Sequence, residues 1–370
     1  MWQIIQSEKR DWDDLHKSFQ WIKDMEGVPQ DSVFHAEGDV AAHTRMVVGA
    51  LLAQPEYKAL EVQEQEILYA ATLLHDVEKR STTVVDEAGR IRSPKHAKKG
   101  EYTARRLVYK LKKTPFVIKE QIAKLVRYHG LPLWVFEKSN PKRALYQASL
   151  EVDTHLLYIL AKADVYGRIC EDQANLLYKV DLFKEFCIEQ DCYGKAKDFG
   201  SNWGRYTYFQ KEEISTDYIP FEKNAFEVIV MSALPGSGKD TFIQNNYPDL
   251  AMVSIDALRR KKGISPKDKK GTGQMVQLAK EQARVHLRKK ESFVWNATNI
   301  TRSIRKQVVD LFQSYGAKTK IVYLEVPYTD LLLRNKKREH QVPVNVLRKM
   351  IRNLEVPALW EAPEVVYYCD

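Results

Sequence analysis

Six histidine and aspartate side chains stand among apolar neighbours, and together they have the composition of a metal site. They are His43, the adjacent His75 and Asp76, His96, His129 and Asp164. An ionisable group in apolar surroundings is costly unless it is paired or binds a metal ion. A single buried histidine is usually a satisfied core residue, but several such groups from separate helices favour a metal site in a helical domain.

A second group of residues, in the segment FEVIVMSALPGSGKDTF, has the pattern of a phosphate-binding loop. An apolar strand leads into a Gly/Pro-rich turn, and a helix begins directly after it. Backbone N–H groups of such a turn cradle phosphate oxygens, and its lysine reaches the β- and γ-phosphates of a nucleotide. The predicted nucleotide-binding residues are Gly236, Ser237, Gly238, Lys239, Asp240 and Thr241. We therefore expect ATP or another nucleoside triphosphate to bind with Mg²⁺.

Three residues depart from the usual form of this loop and its neighbouring strand. Ala233 replaces the first glycine, Asp240 takes the usual Ser/Thr position, and Asn296 stands where an acidic strand end is usual. Thr241 is then the candidate hydroxyl ligand of Mg²⁺. Because Mg²⁺ sheds water reluctantly, we expect phosphate oxygens and water to supply most of its ligands.

The periodicity of the chain predicts two kinds of architecture around these two groups. Up to about residue 195, apolar residues recur at helical spacing, as in EQEILYAATLLHDVEK. Residues 198–225 lose this periodicity and are richer in Gly, Pro and aromatic residues, which predicts a connector. Its aromatic side chains would pack between the domains or stack on bases. After Ala225, the runs FEVIVMS, AMVS, SFVWNA and TKIVYLEV alternate with helical segments. This alternation predicts a parallel sheet with helices on both faces.

Composition sets limits on the class of protein and on its partners. The 370 residues suffice for two domains. The excess of basic residues lies in the second domain, where 25 Lys and Arg stand against 15 Asp and Glu from Phe226 onward. Such a charge favours a phosphate-rich partner, although a solvated basic surface is the alternative. The N-terminus does not resemble a signal peptide, no apolar run has membrane-spanning length, and the four cysteines form no CxxC pair. These features predict a cytoplasmic protein without a membrane partner.

The order H…HD…H…H…D resembles that of the HD phosphohydrolase superfamily. The segment from His35 to Thr44 also resembles the start of the HD domain in bacterial CCA-adding enzymes, which act on 2′,3′-cyclic phosphates and 2′-phosphates. The resemblance implies the following metal ligands: His43, His75, Asp76 and Asp164 for one divalent ion, and His96 and His129 for a second, with Asp76 bridging. Imidazole and carboxylate ligands suit Mn, Co, Ni, Fe or Zn. Lys79, in the pattern HDxxK, would neutralise a substrate phosphate, and an exposed lysine without a role is the alternative.

Three C-terminal segments resemble motifs of phage-type 5′-polynucleotide kinases. MVSIDALRR resembles their acceptor motif, which implies that Asp256 is the general base for a 5′-hydroxyl and that Arg259 holds the neighbouring phosphate. A helix N-cap is the alternative role of Asp256. LLLRNKKREHQVP resembles their lid, which implies that Arg334 and Arg338, one helical turn apart on one face, clamp the transferring phosphate. VWNATNITR resembles their D-x-T-N strand end, with Asn296 in the place of Asp.

The two resemblances in this order are those of the bacterial HD-domain polynucleotide kinases. The combination implies an all-α HD phosphohydrolase domain with its connector over residues 1–220, and an α/β P-loop kinase domain over residues 221–370. It also implies an enzyme that removes 2′,3′-cyclic phosphate, 2′-phosphate or 3′-phosphate and phosphorylates 5′-hydroxyl ends of RNA or DNA. A nucleic-acid ligase in the same pathway would be the partner that seals these ends.

Two other functions remain open at the level of sequence. One is a nucleotide phosphohydrolase fused to a small-molecule nucleoside or sugar kinase, which the basic charge and Arg259 disfavour. The other is a non-catalytic nucleotide sensor, suggested by Ala233, Asp240 and Asn296. A sensor would have no use for the acceptor base Asp256.

Overall fold

The computed structural model describes residues 1–111, 114–221, 226–265 and 267–369. The chain divides into two compact units, Met1–Lys197 and Asp198–Asp370. The division therefore comes earlier than residue 220, where the sequence placed it. Among the described residues, none of the helices combines the length and the apolar character that a membrane crossing requires.

The first unit is helical, as predicted, with one short antiparallel hairpin, β1 (Val84–Val85) and β2 (Ile91–Arg92). Its helices are α1 (Trp12–Ser18), α2 (Gln20–Lys23), α3 (Val40–Ala53), α4 (Pro55–Lys58), α5 (Val62–Leu74), α6 (Lys79–Thr82), α7 (His96–Lys110), α8 (Phe116–Tyr128), α9 (Leu131–Trp134), α10 (Pro141–Ser149), α11 (Thr154–Tyr166) and α12 (Gln173–Glu189). Short 3₁₀ turns lie at Ser7–Lys9 and Val135–Glu137.

Helix α5 forms the centre of this unit and packs against α3, α8 and α11. Every residue from Glu66 to Leu74 is buried, as expected of a helix surrounded by other helices. Its start carries a capping box, in which Glu61 and Glu64 bond each other's backbone N–H groups. Asp39 and Asp153 cap α3 and α11 in a similar way, through side-chain oxygens that accept backbone N–H bonds. These caps fix the starts of the helices that carry the site.

The second unit alternates strands and helices. Its elements are α13 (Asn202–Gln210), β3 (Glu227–Ala233), α14 (Lys239–Asn246), β4 (Ala251–Ser254), α15 (Ile255–Lys261), α16 (Lys269–Lys289), β5 (Phe293–Asn296), α17 (Arg302–Gln313), β6 (Lys318–Glu325), α18 (Tyr328–Lys336), α19 (Val344–Arg352) and β7 (Glu364–Cys369). The five strands form one parallel sheet in the order β4-β5-β3-β6-β7. The predicted α/β fold is therefore confirmed, and β7 is a strand that the sequence analysis did not predict.

Strand β3 is buried on both faces because helices cover both sides of the sheet. Val228 and Val230 belong to a core that includes α16 and α17, while Ile229 and Met231 belong to a second core with α14. This alternation follows from the two-residue period of a strand. Since parallel strands end at the same edge, the loops after β3, β4 and β5 meet there, where ligands of open α/β sheets bind.

The connector belongs structurally to the second unit. Helix α13 places Trp203 and Tyr206 against the core that contains β3. Arg205 Nε donates to the carbonyl of Leu359 at 3.0 Å. The aromatic side chains of Trp203 and Tyr206 thus pack within this unit.

Candidate functional sites

The six metal-ligand candidates of the first unit come from five separate helices or helix ends. His43 lies within α3, and Asp164 lies within α11. His75 and Asp76 directly follow the last residue of α5, and His129 directly follows α8. His96 is the first residue of α7. The helical packing brings all six together, although the five segments that carry them are far apart in sequence.

One half of this cluster surrounds the Nε2 atom of His43. Asp164 Oδ1 lies 3.1 Å from this atom, His75 Nε2 lies 3.4 Å away, and Asp76 Oδ2 lies 3.7 Å away. All four side chains are buried. Ligand atoms about 2.1 Å from one tetrahedral ion are separated by about 3.4 Å, so these spacings suit a shared metal ion.

The other half of the cluster surrounds the second oxygen of Asp76. Asp76 Oδ1 lies 3.3 Å from His96 Nε2 and 3.8 Å from His129 Nε2, and the two Nε2 atoms are 3.3 Å apart. No described residue donates a hydrogen bond to this buried oxygen. A buried acceptor without a donor is unfavourable, and a cation between Oδ1 and the two imidazoles would satisfy it.

The hydrogen bonds of the histidines show which ring nitrogen faces the cluster. The Nδ1 atoms of His75, His96 and His129 lie 2.7, 2.7 and 2.9 Å from the backbone carbonyls of Thr72, Ser93 and Val126. A carbonyl only accepts, so each Nδ1 carries a proton and each Nε2 faces the cluster. Metal-binding histidines have this arrangement.

For His43, a carboxylate takes the place that a backbone carbonyl has beside Nδ1 of the other three histidines. The Nδ1 atom of His43 lies 2.7 Å from Glu37 Oε1, which also lies 2.8 Å from His35 Nδ1. Burial would raise the pKa of Glu37, but the bonds from His35 and His43 hold it well below its usual value. Glu37 is therefore an ionised acceptor that orients the imidazole of His43. Glu37 lies in the segment from His35 to Thr44, for which no metal-supporting role was predicted, and its six-residue spacing from His43 was the available signal.

The ionisation states of His129 and Asp76 also fit metal ligands. Burial lowers the pKa of His129 to about 3, so this imidazole is neutral at pH 7. Burial alone would raise the pKa of Asp76, but Lys79 and His75 hold it well below its usual range. Lys79 Nζ lies 2.7 Å from Asp76 Oδ2 and donates to Gln30 Oε1 at 2.7 Å. Neutral imidazoles and ionised carboxylates are the forms that bind metal ions.

A close helix contact sets the distance between His43 and Asp164. A Cβ atom on Gly167 would lie only 2.6 Å from the backbone nitrogen of Val47 and 2.7 Å from its Cα. Val47 is one helical turn beyond His43, and Gly167 directly follows the helix that carries Asp164. Only glycine permits this approach of α3 and α11.

Arg168 is a site residue that the sequence analysis missed. Its Nη2 donates to Asp164 Oδ2 at 2.6 Å. It lines two cavities beside the cluster, of about 430 and 550 Å³, and Lys79 and His96 also line both. The spacing Asp164–Arg168 of four residues in a helical segment was the signal.

In the second unit, the loop between β3 and α14 has the geometry that phosphate binding requires. Gly236 and Gly238 have φ values of 94° and 90°, a region that favours glycine. A Cβ on Gly236 would also lie 3.2 Å from the carbonyl oxygen of Leu331 in α18. Helix α14 begins at Lys239, so its free N–H groups face the loop. The predicted strand–turn–helix pattern is present.

The loop opens into a cavity of about 760 Å³, which Arg334 and Arg338 also line. The prediction that the two arginines share one helical face is wrong. Helix α18 ends at Lys336, and Arg338 lies in the following bend. Removal from water lowers the pKa of the Lys239 ammonium; Asp240 and Asp256 oppose this shift and Arg338 adds to it. Three cationic groups thus converge on one cavity. Glu325, buried at the end of β6, lines it too and was missed from the sequence.

The predicted acceptor residues lie at the start of α15. Ser254 is the N-cap of this helix, since its side chain accepts from the N–H of Ala257. Asp256 is therefore not the cap, and its carboxylate pairs with Arg259 Nη2. The described residues that line the 760 Å³ cavity do not include Asp256 or Arg259, although Asp256 is near enough to Lys239 to affect its pKa.

Comparison with known proteins adds a family match for the second unit. A family model described as an AAA domain matches residues 228–357. The Pnkp1/Rnl/Hen1 RNA repair complex contains a similar chain, with 17% identity, a TM-score of 0.33, and coverage of 38% of this chain and 47% of that one. A sugar kinase from Janibacter sp. HTCC2649 has 19% identity, a TM-score of 0.30, and coverage of 39% and 85%. A gluconokinase from Sinorhizobium meliloti 1021 has 20% identity, a TM-score of 0.29, and coverage of 40% and 84%.

At these TM-scores the structural likenesses carry no conclusion about substrate. The family match, the parallel sheet and the strand–loop–helix at Lys239 agree with one another. The second unit is a P-loop kinase-like α/β domain.

Proposed function

We propose that this chain is a bifunctional enzyme that heals nucleic-acid ends. Its first unit would remove 2′,3′-cyclic phosphate, 2′-phosphate or 3′-phosphate from a 3′ end. Its second unit would transfer the γ-phosphate of ATP or another nucleoside triphosphate to a 5′-hydroxyl of RNA or DNA. The products, a 3′-hydroxyl and a 5′-phosphate, are the ends that a nucleic-acid ligase joins.

One observation carries the hydrolase half of the proposal. Asp76 directs Oδ2 toward His43 and His75, and Oδ1 toward His96 and His129. Such a bridging carboxylate suits two divalent ions, which would be Mn, Co, Ni, Fe or Zn. Bound ions would polarise the phosphoryl group and supply a water nucleophile.

The remaining groups of the first unit would bind and orient the substrate. Lys79 and Arg168 line both cavities and carry the positive charge that a phosphate ester requires. Glu37 would keep the proton of His43 on Nδ1, so that Nε2 stays available to an ion.

The kinase half is supported by the P-loop kinase-like fold and by the charges around it. Lys239, Arg334 and Arg338 would neutralise the transferring phosphate. Asp256 would accept the proton of the 5′-hydroxyl, and Arg259, now paired with Asp256, would hold the neighbouring phosphate of the acceptor strand. Mg²⁺ would arrive with the nucleotide.

An oligonucleotide with a 5′-hydroxyl and a 3′-phosphate tests both halves in one experiment. It is incubated with ATP and with Mg²⁺, Mn²⁺, Co²⁺, Ni²⁺ or Zn²⁺, and both ends are followed. We expect phosphate to leave the 3′ end and to be added to the 5′ end. A free nucleoside and a sugar serve as control acceptors, and preferential phosphorylation of either would replace the nucleic-acid substrate with a small molecule.

A further inference from the structure

An exposed aromatic ring stands beside the histidine and aspartate cluster without a role in metal binding. Trp134, the last residue of α9, is 40% exposed. A tryptophan ring carries a large apolar area, and aromatic side chains of this size contribute most when a partner covers them. The position of the ring therefore points to a ligand rather than to the core.

Trp134 lines both cavities next to the cluster. It shares this position with groups that would face a bound phosphate ester, among them Lys79, His96 and Arg168. A volume of about 430 or 550 Å³ lies within the range of small-molecule sites. Trp134 thus lines the same space in which the proposed phosphate ester would react.

The ring is held in place before any ligand arrives. Lys179 Nζ lies 4.5 Å from the centroid of the indole, a cation–π contact, and also reaches Glu137 Oε1 at 3.4 Å. An aromatic platform that is already ordered loses little conformational entropy when a flat ligand stacks on it.

The charges that line the smaller cavity favour an anion as the rest of the ligand, even though Arg168 pairs with Asp164 and Arg127 lies 3.6 Å from Glu101. The described lining of the smaller cavity contains four cationic side chains, Lys79, Arg127, Lys138 and Arg168, against the single carboxylate Asp76. The sequence up to Ala225 has almost no net charge, so this basic lining is local. A flat group joined to a phosphate is the chemistry of a nucleotide, and a nucleobase presents the π-face that stacks on an aromatic side chain.

We infer that Trp134 is the stacking platform for the nucleobase of the terminal nucleotide whose phosphate the cluster hydrolyses. This inference rests on the proposed hydrolase function and adds to it a base-binding subsite. Because every nucleobase has a flat π-face, the platform accepts different bases.

Two oligonucleotides that differ only in the terminal base test this role. Both end in a 3′-phosphate, and one carries adenine at the terminal position while the other carries the tetrahydrofuran analogue of an abasic sugar, which cannot lose its phosphate by β-elimination. Stacking on an aromatic side chain contributes about 1–3 kcal/mol per base, so we expect Trp134→Ala to lower kcat/KM about tenfold on the adenine end. The same change should have little effect on the abasic end, and Trp134→Phe should retain most of the wild-type preference.

Phe136→Ala is the matched control, since Phe136 is 49% exposed, is two residues away, and does not line either cavity. Metal content is measured in each variant, and an unchanged content excludes loss of ions as the cause. An equal loss on both oligonucleotides, or no loss on either, would overturn the subsite. If the wild-type protein released phosphate from neither oligonucleotide with any of the divalent metals, the hydrolase function itself would fail and the subsite with it.

Discussion

The side-chain amide of Asn296 donates a hydrogen bond to Asp240 Oδ1 at 2.8 Å, which joins the end of β5 to the phosphate loop. P-loop NTPases usually place a hydroxyl in the loop and an acid at the strand end, and both serve Mg²⁺. Here the acid stands in the loop and the amide at the strand end. The carboxylate has thus moved from the strand end to the phosphate loop, and the hydrogen bond from Asn296 fixes the orientation of the Asp240 carboxylate.

This exchange predicts different results for two neighbouring substitutions. Lys239→Ala should abolish phosphoryl transfer, because the charge on the β- and γ-phosphates is lost. Asp240→Ala should raise the Mg²⁺ concentration for half-maximal rate only modestly, by about threefold, since phosphate oxygens and water hold most of the ion. Titration of Mg²⁺ against kinase rate measures both. An Asp240→Ala protein as inactive as Lys239→Ala but restored by high Mg²⁺ would make Asp240 a principal ligand.

The bridging position of Asp76 predicts that the two activities are separable. Asp76→Ala removes the carboxylate shared by both halves of the cluster, so we expect loss of bound metal and of 3′-phosphate release. Phosphorylation of a 5′-hydroxyl should stay near the wild-type rate, because the P-loop lies in the other compact unit. Metal analysis and a two-ended oligonucleotide assay measure these effects. Loss of both activities with an unchanged circular dichroism spectrum would contradict two independent sites.

The Asp256–Arg259 pair predicts a division of roles between base and clamp. Asp256→Asn should lower kinase turnover by at least about 10²-fold, the low end for a general base, with little change in nucleotide binding. Arg259→Ala should mainly raise the KM for the oligonucleotide. Ser254→Ala is the control, because it removes the cap of the same helix, worth about 1 kcal/mol. A turnover of Asp256→Asn within about threefold of wild type would remove Asp256 from the reaction.

The close contact between Gly167 and Val47 predicts that a substitution at a residue that is not itself a ligand weakens metal binding. Gly167→Ala would place a Cβ against the backbone of α3 and separate α3 from α11, which moves His43 away from Asp164. We expect weaker metal binding, by about 10-fold, the lower end of the effect of lost supporting groups. Gly49→Ala, in α3 and without a neighbour within 4 Å of the added Cβ, is the matched control. Equal metal affinity in both variants would show that this helix contact does not position the ligands.

A buried ion-pair network between α7 and α8 predicts loss of stability in acid. Arg105 Nε donates to both oxygens of Glu120, at 2.9 and 3.0 Å. Burial would raise the pKa of Glu120, but Arg105 and Lys119 lower it from 4.5 to about 2. Because the folded pKa lies below the unfolded value, the stabilisation is complete above the unfolded pKa and disappears as the pH falls through the folded one.

The thermal unfolding midpoint of the wild-type protein should therefore fall between about pH 4.5 and 2. Glu120→Gln should lower the midpoint at pH 7, since Arg105 keeps only Glu101 of its two carboxylate partners, and should make the fall in acid less steep. Parallel curves for the two proteins would show that Glu120 does not contribute to the acid transition.

Sequence alone predicted the features whose signal is local. A parallel strand buried on both faces is a short apolar run, and a phosphate loop needs Gly and Lys at fixed offsets, so β3 and the loop to Lys239 were predictable. The positions of His75 and Asp76 at the end of an apolar helix were also visible, because an ionisable pair at such a place is costly without a partner.

Tertiary structure decided the features that depend on packing between distant segments. Strand β7 is an edge strand of intermediate burial, whose one partner among the described strands is β6, and such a strand leaves a weak pattern in the sequence. Helix α13 joins the second unit because its aromatic side chains meet that core. Three side-chain contacts depend on distances between separate elements. They are the hydrogen bond from Asn296 to Asp240, the contact of Glu37 with His43, and the contacts of the two Asp76 oxygens with different histidines. Periodicity specifies which face of an element is buried, but only the packed fold specifies which polar atoms then meet.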